Sequence, residues 1–224
     1  MSEYKISINQ LATFSRGTDA KKKTIVKQQK NPPKVLVARY GLAKARIRKA
    51  IANYGNIQPI LDGIKELKSR TLVKPLEIAD RSVSIEAMER FIKMKLPSFL
   101  NENVYEVLKK PKINSFKVAD VEIIVSADLI IKVYIDGQPF LGGVKLHIAK
   151  GDIFEREQAK YVSTCLYLYL DQMFENSDII VLPELCLSVD VFADSFFSAP
   201  KNLEKTLEDI ETMCLEIKRI WPNV

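Results

Sequence analysis

The spacing of apolar residues divides the chain into two regimes. Up to about Phe99 they recur at intervals of three and four, the period of a one-sided helix, and after Pro111 alternation by two takes over. Ser7, with Gln10 three residues on and Leu11 and Phe14 beyond, has the form of a capping box and opens a short helix that stops near Gly17. Thr18 caps a second helix that must end at Asn31-Pro32-Pro33, because a residue before proline is pushed out of the helical region. A third is expected from about Val35 to Tyr54, closed by Gly55, with Tyr40, Ala43, Ile47 and Ile51 along its apolar stripe. Ile57 to Leu67 makes a fourth, and Pro75 to Ser84 reads as a connector. The fifth starts at Ser84 and carries Ile85, Met88, Ile92, Leu96 and Phe99 inward.

Beyond Pro111 the pattern predicts strands at about Ile113 to Val118, Val121 to Ile135 and Phe140 to Ile148, with turns at Ala119-Asp120 and Asp136-Gly137. Asp-Gly supplies the positive φ angles of a tight hairpin turn. A symmetric turn there pairs Ile135 with Gln138, which sets Ile130 opposite Gly143, Asp128 opposite Lys145 and Ser126 opposite His147. Side chains alternate between faces, so Asp128, Ser126, Lys145 and His147 share one face, while Leu129, Ile131, Val133, Val144, Leu146 and Ile148 form a dry packing surface on the other. A cross-strand ion pair on a solvated sheet face is the plain structural expectation for Asp128 and Lys145. Glu155 to Phe174 is helical, Ile179 to Val191 is a strand interrupted at Pro183, and Pro200 to Trp221 is a last helix. This order predicts an α/β or α+β core over residues 81–224 behind a helical N-terminal region over residues 1–80.

Charge sharpens this division. The chain of 224 residues carries a net charge of +6, yet between Arg16 and Lys49 twelve basic residues face Asp19 alone, a surplus of eleven, so the remainder is net acidic. Such a cluster suits a polyanion, and Lys21, Lys22, Lys23, Lys27, Arg39, Arg46 and Lys49 are the expected phosphate contacts. Hydrophobic residues at 47% and charged residues at 28% exclude a disordered or collagen-like chain. No apolar stretch approaches the roughly 18 residues of a spanning helix. The first ten residues lack the features of a secretory signal, which makes the cytoplasm the expected compartment. Cys165, Cys186 and Cys214 are far apart and in no C-x-x-C pair, so buried thiols are expected. A single histidine, His147, excludes a histidine-built zinc site, and neither a G-x-S-x-G elbow nor a phosphate-binding glycine loop occurs.

The string Ser126-Ala127-Asp128-Leu129-Ile130, then Gly142-Gly143-Val144-Lys145-Leu146-His147, then Glu157-Gln158-Ala159-Lys160-Tyr161, set in this element order, resembles the PD-(D/E)XK nuclease superfamily, particularly its RecB-type branch. The resemblance covers roughly Ser84 to Ala193 and implies a restriction-endonuclease-like αβββαβ core. It also implies a metal-dependent nuclease, with DNA as the expected substrate ahead of RNA and Mg2+ or Mn2+ as cofactor. Carboxylates there hold a hard cation that activates water, and a lysine stabilises the developing charge. Asp128 matches the metal-binding acid, Lys145 the lysine, and Gln158 with Tyr161 the helix motif. Three positions depart from the pattern: Ala127 replaces the proline, Gly143 stands where the second acid belongs, and Gln158 precedes Tyr161 by three residues and not four. Members of the superfamily can carry the acid on the helix, which makes Glu157 the replacement metal ligand. Glu122, which parity sets on the Asp128 face if the strand is straight, and Glu86, Glu89 and Glu106 are further candidates. If none of them reaches, the resemblance implies a catalytically inactive nucleic-acid-binding or assembly subunit, with a protein partner or a second copy as its companion. A scaffold whose basic helices meet an acidic partner is the alternative outside nucleic acid.

Overall fold

A computed structural model describes residues 3–32 and 39–224 and shows a mixed α/β protein with two sheets. The elements are β1 (Lys5–Ser7), α1 (Ile8–Ser15), α2 (Asp19–Lys30), α3 (Gly41–Ala52), α4 (Gln58–Ser69), α5 (Pro75–Lys93), α6 (Phe99–Glu102), β2 (Tyr105–Val107), β3 (Ser115–Val118), β4 (Val121–Ile124), β5 (Leu129–Ile135), β6 (Gln138–His147), α7 (Arg156–Met173), β7 (Ile180–Asp190), β8 (Ser195–Ser198) and α8 (Glu204–Ile220). None of these helices is long and apolar enough to cross a membrane.

The main sheet has strand order β2-β5-β6-β7-β8, antiparallel except where β6 and β7 run parallel around the crossover helix α7. Ile130, Leu141 and Cys186 belong to a core completed by α1, α2, α7 and α8. Leu129, Ile131, Val133, Val144, Leu146, Leu187 and Val189 belong to a second core closed by α3, α4 and α5. The sheet is thus the middle of three layers, and the apolar side of the hairpin faces helices as its alternation required. The described part of the first eighty residues contributes to both layers, since Ile6, Leu11 and Phe14 enter one cluster and Ala43, Ile47 and Ile51 the other. A smaller sheet, β1-β4-β3, brings the chain's first described strand parallel to β4.

The caps form where the sequence placed them, the Ser7 and Thr18 hydroxyls accepting from the backbone N–H groups of Gln10 and Lys21, but the box at Ser7 is only half made, because its own N–H donates to Gln29 Oε1 at 3.1 Å. Residues 33–38, the expected start of the third helix among them, lie outside the described residues. Three expectations need correction, and three short strands were not predicted. The stretch from Pro75 to Ser84 is not a connector but the first half of α5, since proline is tolerated at a helix's first position, where its missing N–H has no partner to lose. Val121 to Ile135 is not one strand: β4 stops at Ile124 and β5 starts at Leu129. Pro183 does not interrupt β7, because it sits in a bulge where the β6 register jumps from Leu141↔Val181 to Gly143↔Cys186. That bulge needs Gly142, whose Cβ would lie 2.4 Å from the carbonyl oxygen of Leu185. Finally, the short strands β1, β2 and β8 have too few residues to show an alternation.

Candidate functional site

The break between β4 and β5 builds the site. Val125 and Ser126 both donate their backbone N–H groups to the Asn114 carbonyl, at 2.8 and 3.2 Å. Ser126 takes a φ of +43°, a region uncommon for a residue with a side chain. Lys145 holds this turn from the neighbouring strand, donating its Nζ to the carbonyls of Val125 at 2.7 Å and Ser126 at 3.0 Å. The hairpin register is the one the Asp-Gly turn dictates, with Ile130 opposite Gly143 and Ile135 opposite Gln138. Asp128 extends it by one bond, from its N–H to the Val144 carbonyl at 2.9 Å.

Asp128 and Lys145 are both buried, so the expectation of a solvated face is corrected. They feel each other's charge without forming a bridge. The Asp128 carboxylate instead accepts from the Leu146 N–H at 2.8 Å through Oδ2 and pairs through Oδ1 with Lys44 of α3 at 3.0 Å. Burial lowers the Lys145 amine from 10.5 to about 8; Asp128 opposes that shift, while Lys44 and Lys110 add to it. Lys110 is likewise lowered by desolvation first, then by Arg48, with Asp128 opposing and Lys44 adding a smaller push. Lys44 is therefore bonded to the buried carboxylate, Lys145 and Lys110 feel its charge, and Arg48 acts on Lys110.

His147 lies on the α1 side. Its Nε2 donates to the Asp152 carbonyl, which fixes the proton there and leaves Nδ1 to accept from the Asn9 amide at 3.3 Å. The ring stacks on Phe154 with centroids 3.6 Å apart, and desolvation lowers its pKa against the opposing pull of Asp152 and Asp190. A neutral, packed imidazole results. Asp190, 4.0 Å from Nε2, is committed to the N–H groups of Phe154, Phe192 and Ala193.

The helix motif is drawn elsewhere. Gln158 is buried, but its Oε1 accepts from the Glu155 N–H at 3.1 Å and its Nε2 donates to the Ala12 carbonyl at 3.0 Å. It closes the capping box of α7 and ties that helix to α1. Glu157 is exposed and pairs with Lys160 at 2.8 Å, and the Tyr161 hydroxyl donates to Asp209 of α8 at 3.1 Å. Neither joins Asp128.

The other acids are engaged as well. Glu122 accepts from the Ser115 hydroxyl at 2.7 Å; parity had set it beside Asp128, but the strand ends at Ile124 and that parity is cancelled. Glu86 pairs with Lys150 and Arg90, Glu89 with Lys68, and Glu106 with Lys132. At Gly143 a Cβ would lie 3.0 Å from Leu170 Cδ1 and 3.1 Å from the Leu129 carbonyl, so an acid there would enter the leucines of α7. Among the described residues no three His, Cys, Asp or Glu side chains group as a metal site requires. A lone carboxylate, already bridged by a lysine and in the field of further cations, does not suit Mg2+ or Mn2+.

Of the expected phosphate contacts, Lys21, Lys23, Lys27, Arg39 and Lys49 are exposed. Lys22 pairs with Glu216 at 2.7 Å and Arg46 with Glu66 at 2.8 Å, so these two hold the fold together. Sequence reasoning missed Lys44 and Lys110 as neighbours of Asp128. Lys44 offered a signal only in hindsight of the helix phase, one residue after Ala43 on the buried stripe of α3. No family model matches the chain, and no curated protein matches it.

Proposed function

We propose that this chain is a nucleic-acid-binding or assembly subunit built on a restriction-endonuclease-like frame of the PD-(D/E)XK kind, one that grips phosphates and does not cut them. The cations around Asp128 carry this reading. A hydrolytic centre of that kind needs carboxylates to concentrate positive charge as a metal ion, whereas here the positive charge is already supplied by side chains and Asp128 is neutralised by Lys44. The helix–hairpin–helix–strand order and the β5-β6-β7 pairing support the frame. The exposed lysines of α2 support an electrostatic grip that does not depend on base sequence.

The test is binding and cleavage of labelled single- and double-stranded DNA and RNA at low salt with Mg2+ or Mn2+, for the wild type, Asp128→Ala and Lys145→Ala. Salt-sensitive binding without cleavage is expected. Cleavage abolished by both substitutions would overturn this reading in favour of a metal-dependent nuclease. No affinity for any of the four substrates would move the protein to an interaction scaffold for an acidic partner.

A further inference from the structure

Between the loop that follows β2 and the turn at Ser126 lies a cavity of about 280 Å³. Its floor is apolar, made by the buried side chains of Ala127, Ile130 and Tyr169. Its rim is polar and open to solvent, made by Lys110, Lys112, Asn114 and Ser126. The walls are held in place by the chain itself. The Asn114 carbonyl accepts from the N–H groups of Val125 and Ser126, Lys145 clamps the same turn, and the Tyr169 hydroxyl donates to the Ile113 carbonyl at 2.8 Å. Asn114 Nδ2 donates to Ser126 Oγ at 3.1 Å. That bond leaves Asn114 Oδ1 as an acceptor and the Ser126 hydroxyl proton as a donor, side by side and without a partner among the described residues. No carboxylate lines the cavity, and among the described residues neither Lys110 nor Lys112 is in an ion pair. Both lie outside the basic cluster between Arg16 and Lys49.

We propose that this cavity takes one unstacked base of a single-stranded nucleic acid, with Lys110 and Lys112 on the flanking phosphates. A nucleobase is a flat apolar plate whose hydrogen-bonding groups are confined to its edge, so it calls for an apolar surface against its face and a donor beside an acceptor at its edge. The floor supplies the first, and Ser126 with Asn114 the second. The volume stands at the low end of the range for small-molecule sites, which leaves room for one base and none for a base pair. A base inside a duplex is stacked and paired and must be extruded before it can enter. An acidic peptide would engage the lysines and leave the floor uncovered, whereas a purely apolar ligand would leave the lysines, the amide and the hydroxyl unused. This site rests on the nucleic-acid-binding reading and deepens it, naming the strand as single and adding a contact apart from α2.

The experiment measures fluorescence anisotropy with a short labelled single strand containing all four bases, its duplex, and a strand of equal length built of abasic residues. It runs alongside thermal unfolding in nucleoside monophosphates against inorganic phosphate. Wild type should bind the intact single strand about tenfold more tightly than either the duplex or the abasic strand. Asn114→Ala, at an exposed position and checked for an unchanged melting temperature, should collapse the preference over the abasic strand. Lys110/Lys112→Gln should weaken the intact and abasic strands together, and Lys21/Lys23/Lys27→Gln should weaken all three probes and keep their ratios. Equal affinity for the intact strand and either of the other two overturns the base pocket and leaves the nucleic-acid-binding reading standing. A preference that Asn114→Ala leaves untouched likewise removes this cavity as its source. No affinity for any probe overturns the nucleic-acid-binding reading. A melting temperature raised by nucleoside monophosphates and not by phosphate, and lost in Asn114→Ala, would then keep the cavity as a site for a free nucleotide, and no such rise would remove the cavity as well.

Discussion

Lys44 closes on Asp128 at 3.0 Å and so occupies the place that the hairpin register reserves for Lys145. The bond joins α3 to the first residue before β5, and one partner is buried while the other is 36% exposed. Lys44→Met would leave a buried carboxylate with only the Leu146 N–H, at a cost of about 1–3 kcal/mol, less than for a fully enclosed pair. Asp128→Asn keeps an acceptor for Leu146 and removes the charge. Chemical denaturation of both single variants and the double variant should therefore give a coupling above about 0.5 kcal/mol. Additive losses would mean that the two side chains act independently.

Gly143→Asp supplies the acid that the PD-(D/E)XK pattern carries two residues before its lysine, yet it should damage the protein. The new Cβ meets Leu170 and the Leu129 carbonyl, and the carboxyl would be buried among leucines. A loss of about 3 kcal/mol or more is expected, read as a lower melting temperature with no gain in stability from Mg2+. A stable variant that is further stabilised by Mg2+ would show that the site can still be completed.

The pH dependence of Lys145 has a definite sign. Its amine titrates at about 8 in the folded protein against 10.5 in the open chain, so between those values the unfolded state binds more protons and stability rises with pH. The full rise is about 3 kcal/mol, present above pH 10.5 and absent below pH 8. Buried tyrosines and cysteines titrate in the same range with the opposite sign. The informative quantity is therefore the unfolding free energy of wild type minus that of Lys145→Met, which should climb from pH 8 to 10.5 and stay level below. A level difference throughout would place the amine in water.

Gln158 and Tyr161 should behave as structural residues. Gln158→Leu removes the acceptor of the Glu155 N–H and the donor to Ala12, at about 1–3 kcal/mol. Tyr161→Phe loses one bond to Asp209, at about 1 kcal/mol. Denaturation midpoints should fall in that order, and nucleic-acid affinity below the transition should not change. A selective loss of affinity in either variant would return the helix motif to the functional site.

On the proposed nucleic-acid-binding reading, the exposed lysines of α2 should set the salt dependence. Each phosphate contact contributes about 0.7 to 0.9 to the slope of log affinity against log salt, so Lys21/Lys23/Lys27→Gln should flatten it by roughly 2–3. Lys22→Gln should chiefly lower stability, through its lost bridge to Glu216. An unaltered slope in the triple variant would remove α2 from the interface.

Much of the local structure was legible because it depends on neighbours in sequence. The Ser7 and Thr18 caps, the proline stop after α2, the Asp136-Gly137 turn and the pairing of Ile130 with Gly143 follow from short-range geometry. So does the dry face of the hairpin, since alternation on a strand is rigid. The position of Gly143 opposite Ile130 was equally readable, but not the leucines of α7 that fill the space beside it.

The residues by themselves determined most of the helices, the hairpin and its register, the charge surplus of the N-terminal segment, and the presence of one acid and one lysine at facing positions. Only the tertiary structure decided what those two side chains do. The turn at Ser126 ends the strand and cancels the parity that had joined Glu122 to Asp128, and the packing of α3 on the sheet brings Lys44 to the carboxylate first. α7 and its cap commit Gln158, Glu157 and Tyr161 to other partners. The physical reason is one of range: hydrogen-bonded turns and side-chain alternation act over a few residues, whereas a buried charge is settled by whichever oppositely charged group the packed layers bring nearest.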